Sequence, residues 1–197
     1  MKIFVLGLSN SKKTDFCKAL YDECNLDINY IHMTDWVKST FRAIKPNESE
    51  QDYELDFIKY LLFRLNINSN LLLNNALDIL KVNEKNISII EGFFSPKDFI
   101  SLFDYKNDIV VFLNRVDNTK SFSPEEYLSF GIIKDYCYWL SLNNLLPKDK
   151  WIEYNFKIPG EIIDSPKILV NKNTICLARS LETAIVHFKN VLNIFTI

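Results

Sequence analysis

Nothing in this sequence is apolar for long enough to cross a bilayer, and the first apolar run, Ile3 to Leu6, is far too short for a signal peptide. A cytoplasmic protein is the expectation. The four cysteines (Cys17, Cys24, Cys137 and Cys176) lack CxxC spacing, and the two histidines are scattered, so there is no metal-site signature. Free thiols of a reducing compartment are expected instead. A formal net charge of −2 removes any electrostatic case for a nucleic-acid or membrane surface. It leaves room for a compact nucleotide site, which needs only a few local cations. Repeats, low-complexity tracts and long linkers are also missing, which implies one domain over residues 1–197. The 15 Phe, 9 Tyr and 3 Trp supply bulky filling for its core.

Residues 2 to 20 are the most informative segment. Ile3, Phe4, Val5 and Leu6 form a continuous apolar run, the pattern of a central parallel strand covered on both faces. Phe16, Cys17, Ala19 and Leu20 then recur at helical spacing, so the intervening loop feeds a helix N-terminus. Such an end presents unpaired N–H groups and a positive dipole to an anion. Gly7-Leu8-Ser9-Asn10-Ser11-Lys12-Lys13-Thr14 fits the phosphate-binding pattern G-x-x-x-x-G-K-[ST] at every fixed position but one. Lys12 stands where the second glycine belongs, at an expected cost of about 1–2 kcal/mol if the backbone there is left-handed. In such a loop the amides surround the phosphates, Lys13 neutralises their charge and the Thr14 hydroxyl reaches Mg²⁺. Ser9, Asn10 and Ser11 are small enough to let the backbone approach.

Further along, Ile28 to Met33 reads as a second strand, and Thr34-Asp35 as the cap of a helix through Trp36 and Phe41. Two helical series fill residues 51–82. Ile87 to Ile90 is a buried strand ending at Glu91-Gly92. Ser95-Pro96-Lys97-Asp98 opens a helix with cap, first-position proline and capping-box carboxylate. Ile109 to Leu113 is another strand, and Ser123-Pro124-Glu125-Glu126 opens a helix by the same logic. Trp151 to Ile158 alternates, which suggests an extended or edge segment. Ile168 to Val170 and Thr174 to Leu177 suggest a terminal hairpin or paired short strands, and Leu181 to Ile194 a last amphipathic helix. Strands alternating with helices predict an α/β fold, a parallel sheet with helices on both faces. Right-handed crossovers would gather Gly7–Thr14, Thr34–Lys38, Glu91–Phe94 and Asn114–Asp117 along one edge.

Three segments carry a family resemblance. Ile31-His32-Met33-Thr34-Asp35-Trp36-Val37-Lys38 resembles the Thr-Gly-Asp-x-Leu-Arg segment after the second strand of adenylate kinase-like nucleoside monophosphate kinases. Ile89-Ile90-Glu91-Gly92-Phe93 resembles that family's third strand, which ends Asp-Gly-Phe-Pro-Arg. Asp108 to Leu113 is similar to its fourth. The order and spacing agree over residues 1 to about 118. The resemblance implies a three-layer P-loop-type sheet, with a helical acceptor-binding insert over about 34–84 and a lid-like segment over about 115–160.

It also implies ATP and Mg²⁺ as cofactors and a small nucleotide as substrate. Asp35 and Lys38 would lie near the phosphoryl acceptor, with Arg42 one helical turn on, and Glu91 near the Mg²⁺ and phosphates. Arg115 would be the lid cation, making Lys13, Glu91 and Arg115 the catalytic set. Lys38 replaces an arginine and offers a point charge rather than a fork. Phe93-Phe94-Ser95 lacks the family's Pro-Arg.

Each assignment has a structural counterpart. Asp35 also suits a helix N-cap, Glu91 a strand-end carboxylate satisfied by its neighbours, and Arg115 a surface arginine. His32 and His187 suit satisfied, partly buried histidines. The aromatic group Tyr127, Phe130, Tyr136, Tyr138, Trp139 and Trp151 suits core packing better than a base-stacking platform. Arg179 suits either a base or a carboxylate partner. Two functional readings follow: an ATP-dependent phosphotransferase for a nucleotide or nucleoside-like acceptor, and a kinase-shaped protein that binds without chemistry. A kinase for a base within DNA would demand more clustered Lys and Arg.

Overall fold

The computed structural model describes residues 1–8, 11–23, 27–33, 87–92, 95–115, 124–156, 175–178 and 181–195. Strand β1 (Lys2–Leu6) leads into helix α1 (Lys13–Glu23), followed by β2 (Ile28–His32) and β3 (Ile87–Glu91). Then come α2 (Pro96–Leu102), β4 (Ile109–Arg115), α3 (Pro124–Leu142), β5 (Trp151–Phe156), β6 (Ile175–Ala178) and α4 (Leu181–Phe195). The six strands form one sheet in the order β2-β3-β1-β4-β5-β6, and every pairing is parallel.

The apolar run of β1 explains its central place. Ile3 and Val5 face a core shared with Phe16, Cys17 and Leu20 of α1 and with Ala184 and Phe188 of α4. Phe4 and Leu6 face the opposite core, shared with Phe99 and Leu102 of α2 and with Ile133, Cys137 and Leu140 of α3. The result is three layers, with helices on both faces of the sheet. Phe4 meets Phe99 and Phe103 edge-on at centroid distances of 5.3 and 5.7 Å, the favoured aromatic arrangement. The α2 cap is as its sequence implies: Ser95 Oγ accepts from the Asp98 amide at 3.1 Å, with proline in the first turn. At the N-terminal edge the buried Asp108 carboxylate accepts from the Lys2 and Asp104 amides, each at 2.8 Å, and pairs with Lys2 Nζ at 3.0 Å.

In the C-terminal third the expected extended segment and last helix are present, but the edge and hairpin alternatives are not. Residues 151–156 form an interior strand between β4 and β6, and do not lie at an edge. Their alternation misleads because Glu153 and Asn155 are polar without facing water in the usual way. Asn114 donates to both of them, Lys134 pairs with Glu153, and Glu153 stays buried. β6 is likewise no hairpin arm: it runs parallel to β5, pairing Glu153 with Ile175 through Phe156 with Ala178. Residues 168–170 lie outside the described residues. Within the span 115–160 read as lid-like, α3 and β5 belong to the body of the sheet. Arg115 is the last residue of β4, opposite Phe156. The helical insert over about 34–84 falls outside the described residues. Among the described residues no helix is long and apolar enough to cross a membrane, and Cys17 and Cys137 are buried free thiols.

Phe4→Ala should destabilise the fold by about 3–5 kcal/mol, the usual cost of a large aromatic cavity. Urea unfolding followed by far-UV circular dichroism would measure it, and a loss below about 1 kcal/mol would contradict the two-core arrangement.

Candidate functional site

Chain direction creates the site. From β1 the chain passes to α1 on one face of the sheet; from the adjacent β3 it passes to α2 on the other. Neighbouring strands whose connections diverge in this way leave a crevice beyond their C-terminal ends, where ligands bind in open α/β sheets. Gly7, Ser11 to Thr14, Glu91 and Gly92 meet there, with Asn114 and Arg115 ending β4 along the same edge.

The turn after β1 is tight. A Cβ at Gly7 would stand 2.3 Å from Ser11 Oγ and 2.8 Å from the Leu113 carbonyl oxygen, so no side chain fits. Ser11 is itself buried, its amide donating to the Leu8 carbonyl at 3.0 Å, while its hydroxyl oxygen has no hydrogen-bond partner. Lys12 has φ of +69°, the left-handed region, so the position does call for the conformation in which glycine is usual. Its side chain turns outward to pair with Asp15 at 3.2 Å, where both are more than half exposed. The first α1 hydrogen bond runs from the Phe16 amide to the Lys12 carbonyl at 3.0 Å. The preceding amides, those of Lys13, Thr14 and Asp15, have no carbonyl within the helix to meet.

Lys13 opens α1 and Thr14 follows it, both partly buried. The Lys13 ammonium donates to the Leu8 carbonyl at 3.2 Å. Burial pulls its pKa below the ordinary lysine value, opposed by the negative charges of Glu126 and Glu91. Glu91 is fully buried at the end of β3, opposite Val5 of β1 and His32 of β2. Its Oε1 accepts from Tyr30 Oη at 2.6 Å and lies 3.7 Å from His32 Nε2, while its Oε2 is buried without a hydrogen bond. Cys17 completes the group: burial raises its thiol pKa strongly, and the Glu91 carboxylate beside it raises it further. Gly92, at φ of +134°, turns the chain away where a Cβ would stand 2.9 Å from Met33 Cβ.

The residues expected from sequence therefore divide into two groups. Gly7, Ser11, Lys12, Lys13, Thr14 and Glu91 are brought to one crevice. Ser9, Asn10, Asp35, Lys38, Arg42 and Arg179 lie outside the described residues, as does the side chain of Arg115. Tyr30, Cys17 and Glu126 join the site without having been singled out. Tyr30 was findable: two residues before His32 on a strand beside β3, it shares the face that Glu91 occupies. Glu126 was not, because only tertiary packing brings the first turn of α3 to Lys13. His187 takes no part in this crevice, its Nδ1 bonding Tyr154 Oη at 2.8 Å. The aromatic group is mixed: Phe130, Tyr136 and Trp151 pack into the core, whereas Tyr127, Tyr138 and Trp139 are exposed.

Tyr30→Phe removes the 2.6 Å hydrogen bond to the fully buried Glu91 carboxylate and should cost about 1–3 kcal/mol in urea unfolding. Tyr21→Phe, at a neighbouring but exposed ring, is the control and should stay within about 0.5 kcal/mol.

No protein-family model matches the chain, and no curated protein matches it in sequence. Solved structures that it resembles include an apo-form GTPase from Pyrococcus abyssi, at 16% identity over 80% of this chain and 67% of that one, with a TM-score of 0.39. A shikimate kinase from Bacteroides thetaiotaomicron matches at 12% identity over 98% of both chains, with a TM-score of 0.38.

Proposed function

We propose that the chain is a nucleoside triphosphate-dependent phosphotransferase, using ATP and Mg²⁺ on a nucleotide or nucleoside-like acceptor. The observation that carries the reading is the left-handed Lys12 at the start of α1, whose exposed side chain pairs outward with Asp15, beside first-turn amides of the kind that meet an anion. The residues present suit the cofactor. Lys13 and the first amides of α1 would hold the phosphate tail, with Gly7 allowing the close turn. Thr14 and the unpartnered Oε2 of Glu91 are the oxygens that would face Mg²⁺. Among the described residues no group of three or more His, Cys, Asp or Glu is placed to hold a metal. The ion would therefore arrive with the nucleotide and keep much of its own water, as Mg²⁺ usually does.

In this reading Lys13 neutralises charge on the transferring group, a Mg²⁺ brought by the nucleotide would supply further charge neutralisation, and Glu91 would orient that metal or the attacking hydroxyl. Tyr30 holds one Glu91 oxygen and leaves the other free to act. Asp35, Lys38 and Arg42 position the acceptor, and Arg115, ending β4 at the same edge, adds a cation over the phosphates. A protein that binds nucleotide without turnover is the second reading. The Leu8 carbonyl favours it, since it takes both the Ser11 amide and the Lys13 ammonium and so ties the loop to itself.

ATP–Mg²⁺ should raise the melting temperature, with about 2.7 kcal/mol available at ~100-fold excess over the dissociation constant. No shift with millimolar ATP or GTP would eliminate both readings. Lys13→Ala should abolish the shift, and Lys12→Gly should retain it. Turnover that responds to added nucleotides selects the first reading, and binding alone the second.

A pH series supplies a further check. The phosphates need charged Lys13, and its pKa in the free protein is depressed. Affinity should therefore fall on the alkaline side, as pH rises through a value below that of ordinary lysine. Isothermal titration with Lys13→Arg, which stays charged throughout, should show no such fall.

A further inference from the structure

α3 is apolar on two sides. Its inner side, with Ile133, Cys137 and Leu140, is buried in the sheet core. Its outer side carries Tyr127, Leu128, Ile132, Tyr138, Trp139 and Leu142, each between 43 and 66% exposed. Leu128, Ile132, Asp135, Trp139 and Leu142 follow one another at alternating steps of four and three residues. That is the spacing of a helix–helix seam, and Asp135 is its only charged member. Gly131 lies beside this seam in mid-helix, and among the described residues no atom beyond its own helix backbone and chain neighbours comes within 4 Å of where its Cβ would stand. Glycine is the poorest helix former after proline, and among the described residues no neighbour requires one there. A bare backbone on an outer face does allow a second helix to come close.

We propose that α3 is the contact surface of a homodimer, in which the outer faces of two α3 helices pack against each other across a two-fold axis. Area favours a second copy. Allowing roughly 200–250 Å² for each of the six side chains when fully exposed, they leave about 700 Å² uncovered. That exceeds the ~300–600 Å² of a typical monomer's largest apolar patch. It approaches the ~800 Å² that each partner contributes to a standard interface. A self-complementary seam on one helix suits the isologous contact of a two-fold dimer. Trp139, stacked on Tyr136 at a centroid distance of 6.5 Å, is the natural anchor.

Sedimentation velocity on the full chain at micromolar concentrations tests this, with a species of twice 23.1 kDa expected. Leu128→Glu with Trp139→Glu, and separately Gly131→Leu, should each weaken dimerisation by about thirtyfold or more. Asp135→Leu should strengthen it, because it removes the one charge from the seam. Val186→Glu, at an equally exposed apolar site on α4, should leave it unchanged. Circular dichroism checks that every variant is folded. A monomeric wild type at about 100-fold the protein concentration typical of a nanomolar-to-micromolar dimer overturns the proposal. So do dimers that ignore both the seam variants and Asp135→Leu. A monomer that instead binds anionic phosphatidylserine vesicles through Trp139 also overturns it, assigning the face to lipid.

Discussion

The contact of Gly7 with the end of β4 constrains everything at the site. With no side chain at residue 7, the chain leaves β1 close against the Leu113 carbonyl and folds Ser11 beneath itself. This sets where α1 starts and how its first amides face. The position of Lys12 follows from it too, because a turn so tight must reverse through a left-handed residue before the helix begins. Lysine bears that strain with help from an exposed pair to Asp15, an interaction worth at most about 1 kcal/mol. Much of the strain must therefore be absorbed by the packing of Phe16, Cys17 and Leu20, which hold α1 to the sheet.

Glu91 adds a second constraint from the opposite side of the crevice. A fully buried carboxylate persists only where donors or cations compensate it. Tyr30 and His32 attend one oxygen from β2, Cys17 lies beside the carboxylate, and Lys13 contributes charge from α1. Two elements, β2 and α1, are thereby tied to one residue of β3, whose Oε2 has no hydrogen-bond partner of ordinary length. Such an atom is costly in a structural ion pair. It is intelligible where a ligand supplies the missing partner.

Legibility in the sequence followed the reach of each signal. The central strand was plain because four consecutive apolar residues leave few alternatives, and α2 was plain because cap, proline and carboxylate are all local. The strand–loop–helix of the candidate site was readable for the same reason, including the departure at Lys12. β5 and β6 were not. The alternation of β5 arises from a buried polar group of Asn114, Lys134, Glu153 and Asn155, assembled from three elements. The direction of β6 depends on a crossover that short apolar runs do not encode. Glu126 carries no local signal because its electrostatic influence on Lys13 joins residues more than a hundred positions apart.

The central position of β1 also bears on how the chain is made. Its partners, β3 and β4, are encoded some 85 and 105 residues downstream. At about 5–20 residues per second, Ile3 to Leu6 leave the ribosome several seconds before either partner exists. Neither neighbour is a hairpin arm that could shelter the strand early, since every pairing in the sheet is parallel. β1 thus waits for both of its neighbours, and it must be kept from foreign strand edges meanwhile. That task falls to nascent-chain chaperones, or to early docking of the strand under α1.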